Sequence, residues 1–136
     1  MSTRWKIILA ILLAFFASYL WGATPRPDMQ KFYAGYNEEY FDDTLPKDVT
    51  VTWANLSQQH NLGITYEYEN GRIEIKIDRA GNPSERQAQL TLLHEMCHVK
   101  VGVGLDDGPS SDRGHGPEHE ACMVRVALRG GFKGLW

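Results

Sequence analysis

Residues 82–101 read NPSERQAQLTLLHEMCHVKV. The stretch opens with the signals of a helix start. Asn82 can cap it, Pro83 suits the first helical position because its missing N–H would have no partner there, and Glu85 stands three residues after the cap. A helix is therefore predicted from Pro83 to about Lys100 or Val101. Gly102, Gly104, Gly108, Pro109, Ser110 and Ser111 make the following stretch a loop. Inside the helix, His94-Glu95-Met96-Cys97-His98 spells HExxH. Two histidines four apart share one helix face, so both imidazoles can reach one zinc ion at about 2.0–2.1 Å. Glu95 is one step further round, placed to take a proton from a zinc-activated water as general base. Leu90, Leu92 and Leu93 flank the motif and would shield it from bulk solvent.

A catalytic zinc site keeps three protein ligands and one open position. The third ligand has several candidates in this chain: His115, His119, Glu118, Glu120 and His60. His115 ends the glycine-rich loop, which can fold back over the metal. Glu118 sits in the first turn after Pro117, where an acid also complements the helix dipole. His60 lies among Gln58, Gln59 and Asn61, a polar turn that favours a solvated ring.

Upstream of the motif, Asp28 to Phe41 reads as a helix, because Met29, Phe32, Tyr33, Tyr36 and Tyr40 recur at spacings of three and four. Three period-two segments follow. Val49, Val51 and Trp53 alternate with threonines, Ile64, Tyr66 and Tyr68 alternate with Thr65 and two glutamates, and Ile73, Ile75 and Ile77 alternate with Glu74 and Lys76. Asn70-Gly71, between the last two, is the favoured pair for a two-residue type I′ hairpin. The expected sheet is three-stranded and antiparallel with one apolar face, covered by the helices. Gly116-Pro117 opens a last helix, to about Arg129, which Gly130-Gly131 stops. The order helix, three strands, helix, helix is α+β.

The first 23 residues differ in kind. Arg4 and Lys6 precede an uncharged apolar run from Ile7 to Trp21, the layout of a secretory signal or signal anchor. Trp21 is too bulky for a good cleavage site at Ala23, so an uncleaved or slowly cleaved anchor is expected. The other reading, a buried N-terminal helix, would have to be apolar on every face. Residues 24–28 form a proline-stiffened linker, and 29–136 form one domain. The 136-residue chain carries a formal net charge of −3, which gives no basic face for nucleic acid. Two cysteines, Cys97 and Cys122, are too few for a four-thiolate zinc site. They fit either two small buried residues or a disulfide between the last two helices, the latter outside the cytoplasm.

These residues bring the chain to a resemblance. Thr91-Leu92-Leu93-His94-Glu95-Met96-Cys97-His98 followed by Gly114-His115-Gly116-Pro117-Glu118-His119 resembles the SprT-like (Spartan-type) zinc metallopeptidases, as do Tyr40-Phe41, Leu45-Pro46, the strand ending in Trp53, and Gly63-Ile64-Thr65. The likeness spans about residues 29–130. It implies His94, His98 and His115 as zinc ligands, Glu95 as catalytic residue, and a minimal zincin-like fold with a small sheet packed on the HExxH helix. His119 departs from the family, standing where an aromatic core residue is usual. It either packs there, donating its ring N–H, or competes as a ligand. With only two cysteines, the C-terminal zinc-binding or DNA-binding region of many members is not expected here, and an anchor does not suit DNA–protein crosslink repair.

The expectation is an exported or membrane-anchored zinc endopeptidase, its domain on the periplasmic or extracellular side, acting on a protein or peptide. An extended substrate would pair with an edge strand, Ile73–Ile77 or Val49–Trp53. The rival readings are a zinc hydrolase of peptidoglycan peptides, a zinc-braced binding module without activity, and a cytosolic DNA-associated protease.

Overall fold

A computed structural model describes residues 6–12, 25–102 and 115–135. Residues 6–12 are helical, with Ile7, Ile8, Leu9, Ile11 and Leu12 exposed. The rest of the apolar run, 13–21, lies outside the described residues, as do 1–5, 22–24 and most of the glycine-rich loop, 103–114. Among the described residues no helix is long and apolar enough to cross a membrane.

Helix α1 (Met29–Tyr40) is capped by Asp28, whose carboxylate accepts from the Lys31 N–H at 3.3 Å. Met29, Tyr33 and Asn37 form its buried stripe, while Phe32, Tyr36 and Tyr40 are half-buried against the core. Asn37 is the polar exception. Its amide donates to the Leu45 carbonyl and accepts from the Leu45 N–H, each at 3.0 Å. Those two bonds fix the turn through Asp42 and Asp43, both in the left-handed region at φ 55° and 56°.

The strands are β1 (Thr50–Ala54), β2 (Gly63–Glu67) and β3 (Ile73–Asp78), in the order β1-β3-β2. β2 and β3 are antiparallel, but β1 runs parallel to β3, so the sheet is mixed and the expected all-antiparallel arrangement is corrected. The cause is the connection 55–62. It leaves β1 beside Asp78, hops over the end of β3, and enters β2 opposite Ile77. Asp78 holds this hop in place. Its carboxylate accepts from the N–H groups of Leu56 and Gly81, each at 2.7 Å, and its backbone N–H donates to the Leu62 carbonyl at 2.8 Å.

The hairpin also differs from expectation. Tyr68 N–H donates to the Arg72 carbonyl at 2.9 Å, leaving Glu69-Asn70-Gly71 as the loop. Gly71 has φ +79° and Asn70 is not left-handed, whereas a type I′ turn needs both central residues there. A three-residue loop with glycine in the left-handed place is the alternative that the same Asn-Gly pair serves.

A third correction concerns which side of β2 faces in. Gly63, Thr65 and Glu67 pair with Ile77, Ile75 and Ile73 and share their face, toward the helices. Ile64 and Tyr66 lie on the outer face with Lys76 and Glu74, where Lys76 stands 5.3 Å from the Tyr66 ring centre. The strand is turned against its own hydrophobic pattern.

Helix α2 (Glu85–Val101) carries the HExxH stretch and packs on β2 and β3 between α1 and α3 (Pro117–Leu128). Its cap is Ser84 rather than Asn82, in a capping box with Gln87. Asn82 is buried instead, donating to the carbonyls of Leu62 and Asp78 and accepting from the Thr91 hydroxyl at 2.6 Å. It ties the sheet to the helix, work that only an amide with both donor and acceptor can do. Leu92, Leu93 and Met96 are fully buried. Each contributes about 1.5–3 kcal/mol by leaving water. α3 ends in a Schellman motif, with Gly130 at φ +83° and Gly131 N–H donating to Val126 O at 2.9 Å.

Candidate metal centre

α2 turns Ala88, Leu92, Met96 and Val99 into the core, which leaves His94 and His98 on its half-exposed side. Pro117 starts α3 so that the residue two before it, His115, reaches the same place. The Nε2 atoms form a triangle: 2.9 Å from His94 to His115, 3.1 Å from His98 to His115 and 3.3 Å from His94 to His98. His119 is the fourth member of the group, and one ligand-type atom from each of the four lies within 4.8 Å of the others. These four histidines could hold a metal ion. Among the described residues Glu118, Glu120 and His60 are not in the group, and all three are exposed.

Hydrogen bonding alone satisfies such a triangle poorly. Each Nε2 carries either a proton or a lone pair, so among three mutual neighbours at least one pair sets like against like. A cation facing three lone pairs removes the conflict. Ligand nitrogens about 2.0–2.1 Å from a tetrahedral ion stand about 3.3–3.4 Å apart, within a few tenths of an ångström of this triangle. The electrostatics agree. Burial first, then the rings of His119 and His115, hold His94 down at about 4. Burial and the neighbouring imidazoles hold His98 down at about 3. Both rings are thus neutral near pH 7 and keep lone pairs for a metal.

His119 is 4% exposed, and its Nε2 lies 3.1 Å from the His94 carbonyl oxygen, which can only accept. Its ring centre stands 4.2 Å from that of His98 and 4.6 Å from that of His94. The ring therefore packs against its neighbours and donates to the His94 carbonyl.

Glu95 is buried at 4% exposure. The Thr65 hydroxyl donates to its Oε2 at 2.7 Å. Burial pushes the Glu95 carboxyl up to about 7, and the Thr65 bond opposes that rise. Gly63 makes the approach possible: a Cβ there would stand 2.7 Å from Thr91 Cγ2 and 3.0 Å from Glu95 Oε1. Thr65 and Gly63 are contributors that sequence reasoning did not single out by role. The readable signal was a glycine opening a strand pattern, which marks close approach.

Of the two expected substrate edges, one is corrected: Val49–Trp53 does lie at an edge of the sheet, but Ile73–Ile77 does not. Ile73–Ile77 belongs to β3, which is hydrogen-bonded on both sides. The outer edge of β1 is engaged by Gln30, which donates to Val49 O at 2.9 Å and accepts from Val51 N–H at 2.8 Å. Among the described residues β2 is the other edge, and it is the strand that touches Glu95. Cys97 and Cys122 form a disulfide joining α2 to α3.

Compared with known proteins, residues 29–133 match the model of the SprT-like family. That match covers most of the chain and contains every residue of the histidine group, so the chain belongs to the SprT-like family.

Proposed function

We propose that this chain is a zinc-dependent metallopeptidase of minimal zincin-like fold that cleaves peptide bonds within protein chains. The convergence of His94, His98 and His115 beside a buried, hydroxyl-held Glu95 carries the reading. The three imidazoles would hold zinc, and His119 would orient His94 through its carbonyl. A zinc ion there supplies Lewis acidity, lowering the pKa of a water toward 7 and polarising a substrate carbonyl. Glu95 takes the proton from the attacking water and passes it to the leaving amine. Thr65 keeps one carboxylate oxygen occupied so that the other is free for this transfer. The substrate backbone would pair with the open edge of β2, which brings the scissile bond toward Glu95.

The domain is exported or held at a membrane by its N-terminal apolar run. The exposed apolar side chains of 6–12 and the disulfide both support this. The partner is an unfolded protein or peptide, and cell-wall peptides are the competing substrate.

The test compares Glu95→Gln with the parent chain for zinc content and for cleavage of casein and of cell-wall peptides. Full zinc with casein hydrolysis reduced by about 10²–10⁴-fold is expected, the usual span for losing a general base. Undiminished turnover would remove Glu95 from the chemistry. Cleavage of cell-wall fragments alone would reassign the substrate. His115→Ala should weaken zinc binding, and an unchanged metal content would dismiss His115 as a ligand.

A further inference from the structure

His94 and Cys97 lie three residues apart on α2, and His119 and Cys122 lie three apart on α3. That spacing places each pair on one helix face. Two parallel rungs therefore join the helices: the hydrogen bond from His119 to the His94 carbonyl, and the disulfide from Cys97 to Cys122. The covalent rung holds in place the ring against which His94 and His98 pack, and the helix whose start fixes His115. Its two ends differ in surroundings. Cys97 is fully buried. Cys122 is buried too, at 2% exposure, but it lines a cavity of about 420 Å³ whose wall also carries Lys100, Arg125 and Arg129. Arg129 is committed to Asp42 at 2.6 Å and Lys100 Nζ donates to the Thr44 hydroxyl at 3.0 Å; Lys100 and Arg125 are both exposed, and their charge favours an approaching thiolate.

We propose that Cys122 is a thiol–disulfide exchange site for a small anionic thiol, and that opening the bridge there loosens the hold of the histidine centre on its metal. The proposal rests on the zinc reading above. In the first step the incoming thiolate attacks Cys122 Sγ, the bridge breaks, a mixed disulfide forms, and Cys97 leaves as a thiolate that takes up a proton. A second thiolate then attacks the mixed disulfide, releasing Cys122 as a thiol and the small molecule as its own disulfide. Two thiols are oxidised and one bridge is reduced. Without the covalent rung, α3 can move away from α2, and His115 and His119 move with it.

The experiment uses the full chain, oxidised and loaded with zinc. Zinc transfer to a chromogenic chelator is timed before and after treatment with glutathione, with free thiols counted in parallel. Two thiols per chain should appear, and zinc release should quicken by about tenfold or more, the scale on which supporting contacts act on metal affinity. In Lys100→Glu/Arg125→Glu, glutathione should generate thiols more slowly while neutral 2-mercaptoethanol is unaffected. Thiols appearing with no change in zinc release would overturn the proposal. So would failure of glutathione to open the bridge in the folded chain. Cys97→Ala/Cys122→Val should release zinc quickly without any thiol, and parent-like release from that variant, if folded, would also overturn it. If it does not fold, glutathione treatment of the parent chain decides. An oxidised chain that takes up no zinc removes the metallopeptidase reading and this proposal together, whereas zinc uptake with unchanged release removes only the proposal.

Discussion

Thr65 shows how much one side chain can decide. It sits on the helix-facing side of β2, although the hydrophobic pattern of the strand would turn Ile64 and Tyr66 that way and Thr65 outward. Its hydroxyl donates to a carboxylate that is almost wholly buried. A hydrogen bond to a charged group is worth about 1.5–3 kcal/mol, so Thr65→Val should lower kcat by roughly tenfold or more. Zinc content and KM should stay near the parent values, and Thr65→Ser should restore most of kcat. Equal kcat in the valine variant would show that Glu95 does not need the hydroxyl. At the neighbouring position, Gly63→Ala adds a methyl 2.7 Å from Thr91 Cγ2. Overpacking of this kind costs about 1–3 kcal/mol, to be read as a lower midpoint in urea.

The elements were legible where period and caps agree. HExxH on a mid-length helix, the α1 stripe and the α3 stop all follow from spacing. What the spacing could not supply was strand order. Alternation tells which residues share a face but not which neighbour a strand takes, and the connection 55–62 is long enough to skip a strand. The orientation of β2 was hidden for a related reason. Ile64 and Tyr66 argue for burial inward, but the helix needs the small Gly63 and the donor Thr65 there, and packing overrode the pattern. Asn82 and Ser84 both suit a helix start. The tertiary demand for an amide between Leu62, Asp78 and Thr91 took Asn82 away and left the cap to Ser84. Ser84→Ala should therefore destabilise the fold by about 1 kcal/mol, measurable by denaturant titration.

Asp78 gives the sheet a dependence on acidity. The Leu56 and Gly81 N–H groups hold its carboxyl below the ordinary value of 3.8. A carboxyl depressed by folding adds stability above its unfolded value, and that stability is lost as the pH falls through 3.8 and below. Melting temperature should drop in that window in the parent chain. Asp78→Asn should be less stable at neutral pH and flatter on the acid side. A parallel acid limb in the two proteins would dismiss Asp78 as a source of it.

Across the whole molecule, the centre joins parts far apart in the sequence: a helix from the middle, a residue before the last helix, and a strand that supports Glu95. Anything that binds this arrangement and not the unfolded chain stabilises all of it. Free zinc at about 100 times its dissociation constant should add about 2.7 kcal/mol, and a chelator should remove that gain together with hydrolysis. A melting temperature indifferent to zinc would mean that the histidines hold no ion.

The hop over the end of β3 has a consequence for how the chain acquires its shape. β1 leaves first in the sequence yet finds its partner last, because that partner, β3, is separated from it by all of β2. The β2–β3 hairpin closes locally through three residues and can form without β1, whereas β1 must wait for an exposed edge to join. Pulse-labelled hydrogen exchange during refolding should protect the amides of the hairpin before that of Ala54. Simultaneous protection would mean that the late arrival is not late at all.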